Sequence, residues 1–174
     1  MFNNRWVNEM NTPNSSSLTP QQALAQTVDD CQPDTLLVCG TLAARLGRAW
    51  HHQHPEQRYT ELPVSSPNEG LPPAETHDLA LIDNTLEQLS HEDGILMLGQ
   101  LRNFGTHRIA VIVTNDAGWE LNDFLGLGFQ RQAHLQGTPA RTLYTYNIDS
   151  YNRRRAWNNP QYWANPEMWD KARW

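Results

Sequence analysis

Short apolar runs alternate with amphipathic stretches along most of this chain. Residues 36–39, 79–82 and 109–113 are continuous apolar runs, with the length and composition of buried strands in a parallel sheet. The segments between these runs carry apolar residues at three- and four-residue spacing, which is typical of helices that pack one face on a core. The pattern predicts a parallel sheet covered by helices on both faces.

The first predicted helix has a well-marked start. Thr19 is placed as its N-cap, Pro20 as its first residue and Gln22 as the capping-box partner of Thr19. The helix ends near Cys31, ahead of Pro33. Its core-facing positions are predicted to be Ala23, Leu24, Thr27 and Val28.

The remaining elements are predicted from the spacing of apolar residues and from the positions of proline and glycine. A helix follows the first strand, and a second short strand covers residues 58–64. Residues 65–76 are rich in proline and are predicted to form a loop, so that a third strand here is either missing or very short. A helix over residues 91–104 is ended by Gly105. The next helix carries Trp119, Leu121, Phe124 and Leu125.

The last two predicted strands, residues 129–135 and 142–148, flank a turn over residues 137–140 and form an antiparallel hairpin. The expected fold class is therefore α/β: a three-layer Rossmann-like sandwich whose mostly parallel sheet is closed by a C-terminal antiparallel hairpin. We expect residues 1–18 to be a flexible lead-in, residues 19–149 to form this domain, and residues 150–174 to be a separate docking segment.

Length and composition narrow the class of protein. A chain of 174 residues fits one domain, and its apolar runs are far shorter than the roughly 20 residues of a membrane-spanning helix. Polar residues near the start argue against a secretory peptide, and the spacing of the two cysteines suggests neither a disulfide framework nor a zinc site. We expect a cytoplasmic protein.

Charge is distributed unevenly. Residues 150–174 carry five basic and two acidic groups, which leaves eight basic and 17 acidic groups in residues 1–149. An acidic body is unfavourable for broad contact with nucleic acid phosphates, so nucleic acid is not the expected partner.

The order of elements resembles that of the class I S-adenosylmethionine-dependent methyltransferases. The similarity runs over residues 19–149 and is carried locally by residues 36–40 at the first strand and turn, by residues 78–89 at the fourth strand of that family, and by the Gly128-Phe129 pair that opens the hairpin. The resemblance implies a bound S-adenosylmethionine and, if the protein is an enzyme, methyl transfer. We expect a bacterial family.

The first motif of that family is reduced here. The family has an acidic residue two positions before the first of three alternating glycines. Val38 stands at the acidic position, Gly40 at the first glycine, Leu42 at the second and Ala44 at the third. One of four positions is retained, and glycine at such a turn allows a ligand to approach the backbone closely.

Three further residues lie where Rossmann-like folds bind a nucleoside. Glu61 comes 21 residues after Gly40, at the end of the second strand, where a carboxylate holds ribose hydroxyls. Asp83 and Asn84 end the strand that follows, at the edge of the sheet where such folds gather ligands. The resemblance thus implies a cofactor site made of Gly40, Glu61, Asp83 and Asn84, and no catalytic residue is nominated. The alternative is a solvated acid at position 61 and a turn-capping Asp-Asn pair.

Other candidate sites are weaker. His51, His52 and His54 cluster at a helix end, but neither a cysteine nor a paired carboxylate accompanies them, so no metal site is expected. The sequence also lacks the motifs G-x-S-x-G, H-E-x-x-H and the P-loop, which are typical of hydrolases, metalloproteases and nucleotidases.

The C-terminal segment is rich in tryptophan. Two copies of N-P-x-x-W, at Asn159 and Asn165, follow a run of arginines, and four of the seven tryptophans lie here. Such rings can pack on the protein's own domain, dock a protein partner or a second copy of the chain, or stack on nucleic acid bases. Two functions therefore remain: a methyltransferase-like protein that binds S-adenosylmethionine, and a non-catalytic binding or scaffolding module that uses this segment.

Overall fold

A computed structural model describes residues 18–151 of the chain. These residues form a six-stranded sheet between two layers of helices. The helices are α1 (Pro20–Cys31), α2 (Thr41–Gln53), α3 (His91–Gln100), α4 (Leu121–Gly126) and α5 (Ile148–Tyr151). The strands are β1 (Thr35–Cys39), β2 (Arg58–Leu62), β3 (His77–Asp83), β4 (Thr106–Thr114), β5 (Gln130–Leu135) and β6 (Arg141–Asn147).

The sheet has the order β2-β1-β3-β4-β6-β5. Strands β1 to β4 run parallel, while β6 lies antiparallel between β4 and β5. Strands β5 and β6 form the antiparallel hairpin that the sequence predicts. The predicted fold class, a three-layer α/β sandwich closed by an antiparallel hairpin, is confirmed.

Alternate residues of each strand face opposite helix layers. Leu36 and Val38 pack with Leu79 and Leu81 beneath α1 and α2. On the opposite face, a second core joins the strands to α3 and α4, and its members include Leu37, Ala80, Ile82, Val111, Met97 and Phe124. Burial on both faces explains why these strands are continuous apolar runs rather than alternating ones.

The predicted start of α1 is confirmed in atomic detail. The Thr19 hydroxyl accepts a hydrogen bond from the Gln22 amide (3.3 Å), and the Gln22 side-chain oxygen accepts one from the Thr19 amide (3.0 Å). This pair forms a capping box with Pro20 in the first turn. Ala23 and Leu24 are buried, while Val28 packs on the edge of the core.

Two predicted boundaries are wrong. Trp119 precedes α4, in the turn after β4, and its ring packs on Phe124 (5.4 Å between centroids). The second strand ends at Leu62 rather than at residue 64, because Pro63 has no amide hydrogen to extend the ladder. The loop after it contains a short 3₁₀ helix, Pro67–Gly70, and no strand is found between β2 and β3 among the described residues.

The helix over residues 91–104 contains a change of geometry. The α-helix ends at Gln100 and continues as one π-helical turn, Leu101–Gly105, before β4. Met97, Leu98 and Leu101 face the core, whereas Ile95 is exposed. Within residues 18–151, no helix has the length and apolar character that crossing a membrane requires.

Candidate functional site

The turn between β1 and α2 is built on a glycine with a positive φ. Gly40 has φ 124° and is the N-cap of α2. As a glycine, it has no side chain that could cap the helix. A Cβ atom at this position would overlap the backbone carbonyl and the carboxylate of Asp83. Glycine is therefore required here by the close approach of the end of β3.

Asp83 caps the helix that Gly40 begins. Its Oδ1 accepts a hydrogen bond from the Ala43 amide at 2.6 Å, and its Oδ2 accepts one from the Leu42 amide at 3.1 Å. The carboxylate is only 6% exposed. A negative side chain at a helix N-terminus satisfies amides that have no partner within the helix and interacts favourably with the helix dipole.

The protonation of Asp83 reflects two opposing effects. Burial raises the pKa of this carboxyl, and the amides of Ala43 and Leu42 lower it less than burial raises it. The net effect is an upward shift. Arg141, which lines the same part of the surface, also lowers the pKa of Asp83 through its charge.

The residues after Asp83 hold the end of β3 against β1. Asn84 is exposed and adopts a left-handed conformation, with φ 48°, and its carbonyl accepts a hydrogen bond from the Gln88 side chain. The Thr85 hydroxyl is buried and bonds to the carbonyls of Asp83 (2.9 Å) and Cys39 (3.2 Å). Asn and Asp tolerate left-handed backbone better than other non-glycine residues, which explains an asparagine at this turn.

Glu61 lies on β2 and is paired within the protein. Its carboxylate meets the Arg48 guanidinium through two contacts, Arg48 Nη2 to Oε1 at 2.6 Å and Arg48 Nε to Oε2 at 3.1 Å, and the Tyr59 hydroxyl donates to Oε2 at 2.9 Å. Hydrogen bonds from Arg48 and Tyr59 lower the pKa of Glu61. Burial and the bond to Glu61 raise the pKa of Tyr59 to about 12.

A cleft of about 640 Å³ opens at the carboxyl edge of the sheet, beside these groups. We call it the arginine cleft; it is lined by Thr41, Leu42, Arg45, Arg48, Asp83, Asn84 and Arg141. Of the four predicted cofactor residues, Asp83 and Asn84 line it, Gly40 lies directly against Asp83, and Glu61 is joined to it through Arg48. The four residues are thus brought to one end of the sheet, and their predicted role in binding stays a prediction.

The sequence prediction missed the arginines of this cleft. Arg45 and Arg48 are three residues apart on α2, a spacing that places both on one helix face, so a helical pattern with two exposed arginines was the available signal. Arg141 begins β6 and arrives from the distant hairpin. No local pattern connects it with α2.

The side chains that replace the first methyltransferase motif belong largely to the core. Val38, on β1, and Ala44, on α2, are buried in the core between the sheet and the helices, and Leu42 is half-buried against the same cluster while bordering the cleft. Val38, Leu42 and Ala44 therefore serve mainly in packing in this chain.

The histidines at the end of α2 contact an aromatic ring and the helix backbone. His54 Nδ1 lies 3.0 Å from the carbonyl oxygen of Trp50, and His51 stacks on Tyr59 with 5.5 Å between ring centroids. Across residues 18–151, no three His, Cys, Asp or Glu side chains lie together as metal ligands do.

Solved methyltransferase structures are similar to this chain. The 16S rRNA methylase RmtB is 20% identical over 71% of this chain and 61% of its own, with a TM-score of 0.44. The methyltransferase domain of bacterial CtHen1 is 10% identical over 73% and 96%, with a TM-score of 0.49. Magnesium protoporphyrin IX methyltransferase from Synechocystis PCC 6803, with bound SAM, is 11% identical over 72% and 77%, with a TM-score of 0.46. The chain spans less than two thirds of RmtB.

Sequence comparison gives the family. No curated protein matches the chain. A family model described as a family of unknown function, DUF6231, matches residues 18–174, which include all but the first 17 residues. The chain therefore belongs to the family DUF6231.

Proposed function

We propose that this protein is a non-catalytic binding module built on a methyltransferase-like fold. The observation that carries the proposal is the position of Asp83, whose carboxylate occupies the first amides of α2. In Rossmann-like folds the backbone of this turn and the amides of this helix receive the ligand. Here a side chain of the protein fills that place.

Two further features support the proposal. A ligand that used the amides of Leu42 and Ala43 would have to displace a buried carboxylate from two hydrogen bonds, which leaves a buried charge without partners. Glu61, the predicted ribose-binding residue, already has Arg48 and Tyr59 as partners. Both carboxylates are thus engaged by the protein itself.

A second function is favoured by the same end of the sheet. Glu61 and Asp83 lie on the strands flanking β1, and the adjoining cleft has a volume typical of small-molecule sites. These groups, with Gly40 and Asn84, are the proposed contacts for S-adenosylmethionine. Methyl transfer depends mainly on placing a nucleophile in line with an already reactive sulfonium, so few catalytic side chains would be needed.

One titration separates the two functions. The purified protein is melted with and without millimolar S-adenosylhomocysteine, and the same pair is titrated calorimetrically. Because a ligand at about 100 times its dissociation constant adds roughly 2.7 kcal/mol of stability, binding would raise the melting temperature by several degrees. We expect no saturable shift and no heat of binding.

Two matched variants show where S-adenosylhomocysteine binds if a shift is observed. Glu61→Ala removes the predicted ribose contact, and Glu56→Ala removes an exposed glutamate just after α2. A saturable shift that is lost in Glu61→Ala and kept in Glu56→Ala would establish the cofactor site and contradict the non-catalytic proposal.

A further inference from the structure

The arginine cleft concentrates positive charge within an otherwise acidic protein. Residues 18–151 contain seven basic groups, all arginines, against 16 acidic groups. Three of these seven arginines, Arg45, Arg48 and Arg141, line one cleft. In a body with a strong negative balance, such a concentration of guanidinium groups creates a local site for an anion.

Two of the three guanidinium groups, those of Arg45 and Arg141, form no salt bridge within residues 18–151. Glu61 neutralises Arg48. Arg45 donates to the neutral side chain of Gln21 at 2.9 Å. Arg141 interacts electrostatically with Asp83, but the Asp83 carboxylate oxygens accept hydrogen bonds from the amides of Leu42 and Ala43. The cleft therefore has positive charge left for a ligand.

The arginines approach the cleft from separate elements. Arg45 projects from α2, whereas Arg141 is the first residue of β6, on the other side of β3 and β4 in the sheet. Thr41 and Asn84, both exposed, add a hydroxyl and an amide between them. Several donors thus surround one volume of about 640 Å³.

We infer that the arginine cleft binds a small phosphate-bearing anion, with Arg45 and Arg141 as its main contacts. Guanidinium groups match phosphate oxygens in charge and in paired hydrogen-bond geometry. Two guanidinium groups without a salt bridge suit a ligand with at least two negative charges better than a single carboxylate. The inference rests on the proposed binding function and specifies its ligand class.

The charge pattern also argues against two other ligands. A sulfonium-bearing cofactor brings a positive charge toward guanidinium groups, which disfavours it. A nucleic acid would lay many phosphates on a body whose described residues carry a net charge of −9, so contacts beyond the cleft would be repulsive. A compact phosphate compound avoids both penalties.

The test is a calorimetric titration of the full-length protein with inorganic pyrophosphate and, separately, with adenosine diphosphate. Arg141→Gln and Arg45→Gln remove one guanidinium each from the cleft. Arg131→Gln is the matched control, because Arg131 is exposed on β5 and does not line the cleft. A thermal melt of each variant checks that it is folded.

We expect saturable binding that weakens about tenfold or more in each cleft variant and less than about twofold in Arg131→Gln, since a hydrogen bond to a charged group contributes about 1.5–3 kcal/mol. Equal affinity for both probes assigns the site to the phosphate groups alone, and tighter binding of adenosine diphosphate assigns it to a nucleotide; both support the inference. Absence of binding to both probes, or equal weakening in Arg131→Gln, would overturn it.

The same titrations keep the two proposals apart. Binding of S-adenosylhomocysteine contradicts the non-catalytic proposal whatever the phosphate probes show. If neither pyrophosphate nor adenosine diphosphate binds and S-adenosylhomocysteine gives no response, the phosphate inference is wrong and the non-catalytic proposal stands.

Discussion

Gly40 and Asp83 depend on each other at the scale of single residues. The aspartate can reach the amides of α2 only because no Cβ stands between β3 and the turn. The glycine also adopts φ 124°, which side-chain-bearing residues rarely adopt. Gly40 thus serves a contact within the protein.

Gly40→Ala is expected to lower the free energy of unfolding by about 1–3 kcal/mol or more, because it combines backbone strain with an overlap at Asp83. Gly99→Ala is the control, since a Cβ at Gly99, in α3, would meet no atom within 4 Å. There, alanine should leave stability unchanged or raise it by up to about 1 kcal/mol. Urea unfolding measures both, and equal effects would contradict the role given to Gly40.

The shifted pKa of Asp83 makes a prediction about pH. Because burial raises this pKa, the folded protein keeps a proton on Asp83 at pH values where the unfolded chain, with a pKa of about 3.9, has released it. Unfolding then releases a proton, so the contribution of Asp83 to stability falls as pH rises from the unfolded pKa through the folded one.

Asp83→Asn removes this titration. The stability of wild type relative to Asp83→Asn should therefore increase as pH falls from 7 toward 4, measured by urea unfolding at each pH. Asp116→Asn, at an exposed turn, corrects for effects common to any lost carboxylate. A difference between wild type and Asp83→Asn that stays constant, or changes in the opposite direction, would show that the folded protein does not raise this pKa.

At the scale of elements, α1 shows how local signals fix a boundary. Thr19, Pro20 and Gln22 are sufficient to start the helix, because the hydrogen bonds that they make lie within four residues of sequence. α4 shows the converse. Glu120 and Asp123 cap it, yet the apolar Trp119 just before them belongs to the core rather than to the helix, so apolar spacing alone places the start too early.

Thr19→Ala tests the contribution of the capping box. The variant leaves the first amides of α1 without their side-chain acceptor, and we expect it to cost about 1 kcal/mol of stability. Gln26→Ala, at an exposed position of the same helix, should change stability by less than about 0.5 kcal/mol. Thermal and urea unfolding measure both variants, and a Thr19→Ala protein as stable as Gln26→Ala would argue against the cap.

At the scale of the whole molecule, one groove lies beside both ends of the described chain. It has a volume of about 530 Å³, runs between α1 and β6, and includes Leu18 and Asn147 in its lining. The tryptophan-rich residues beyond position 151 lie outside the described residues, as do residues 1–17 of the predicted lead-in. Residues 150–174 also carry a net charge opposite to that of the body.

We expect the C-terminal segment to cover this groove, because it follows directly from α5, brings aromatic rings and has the complementary charge. Deleting residues 158–174 should then reduce solubility and make thermal unfolding less cooperative. Static light scattering of the intact protein gives its oligomeric state. A deletion variant that is monomeric and melts as sharply as the intact chain would count against this docking and direct attention to a partner protein.

The sequence by itself determined the elements and the class of fold. Caps, breakers and apolar spacing act over a few consecutive residues, so the helices, the buried strands and the hairpin could be predicted, and Gly40, Glu61, Asp83 and Asn84 could be placed at strand ends. Only the tertiary structure decided what these residues contact. Asp83 accepts a hydrogen bond from the amide of Leu42, which lies 41 residues earlier in the chain, because β1 and β3 pair in parallel register. Arg141 reaches the arginine cleft because β6 inserts beside β4. Such contacts depend on strand order and register, which no local pattern encodes.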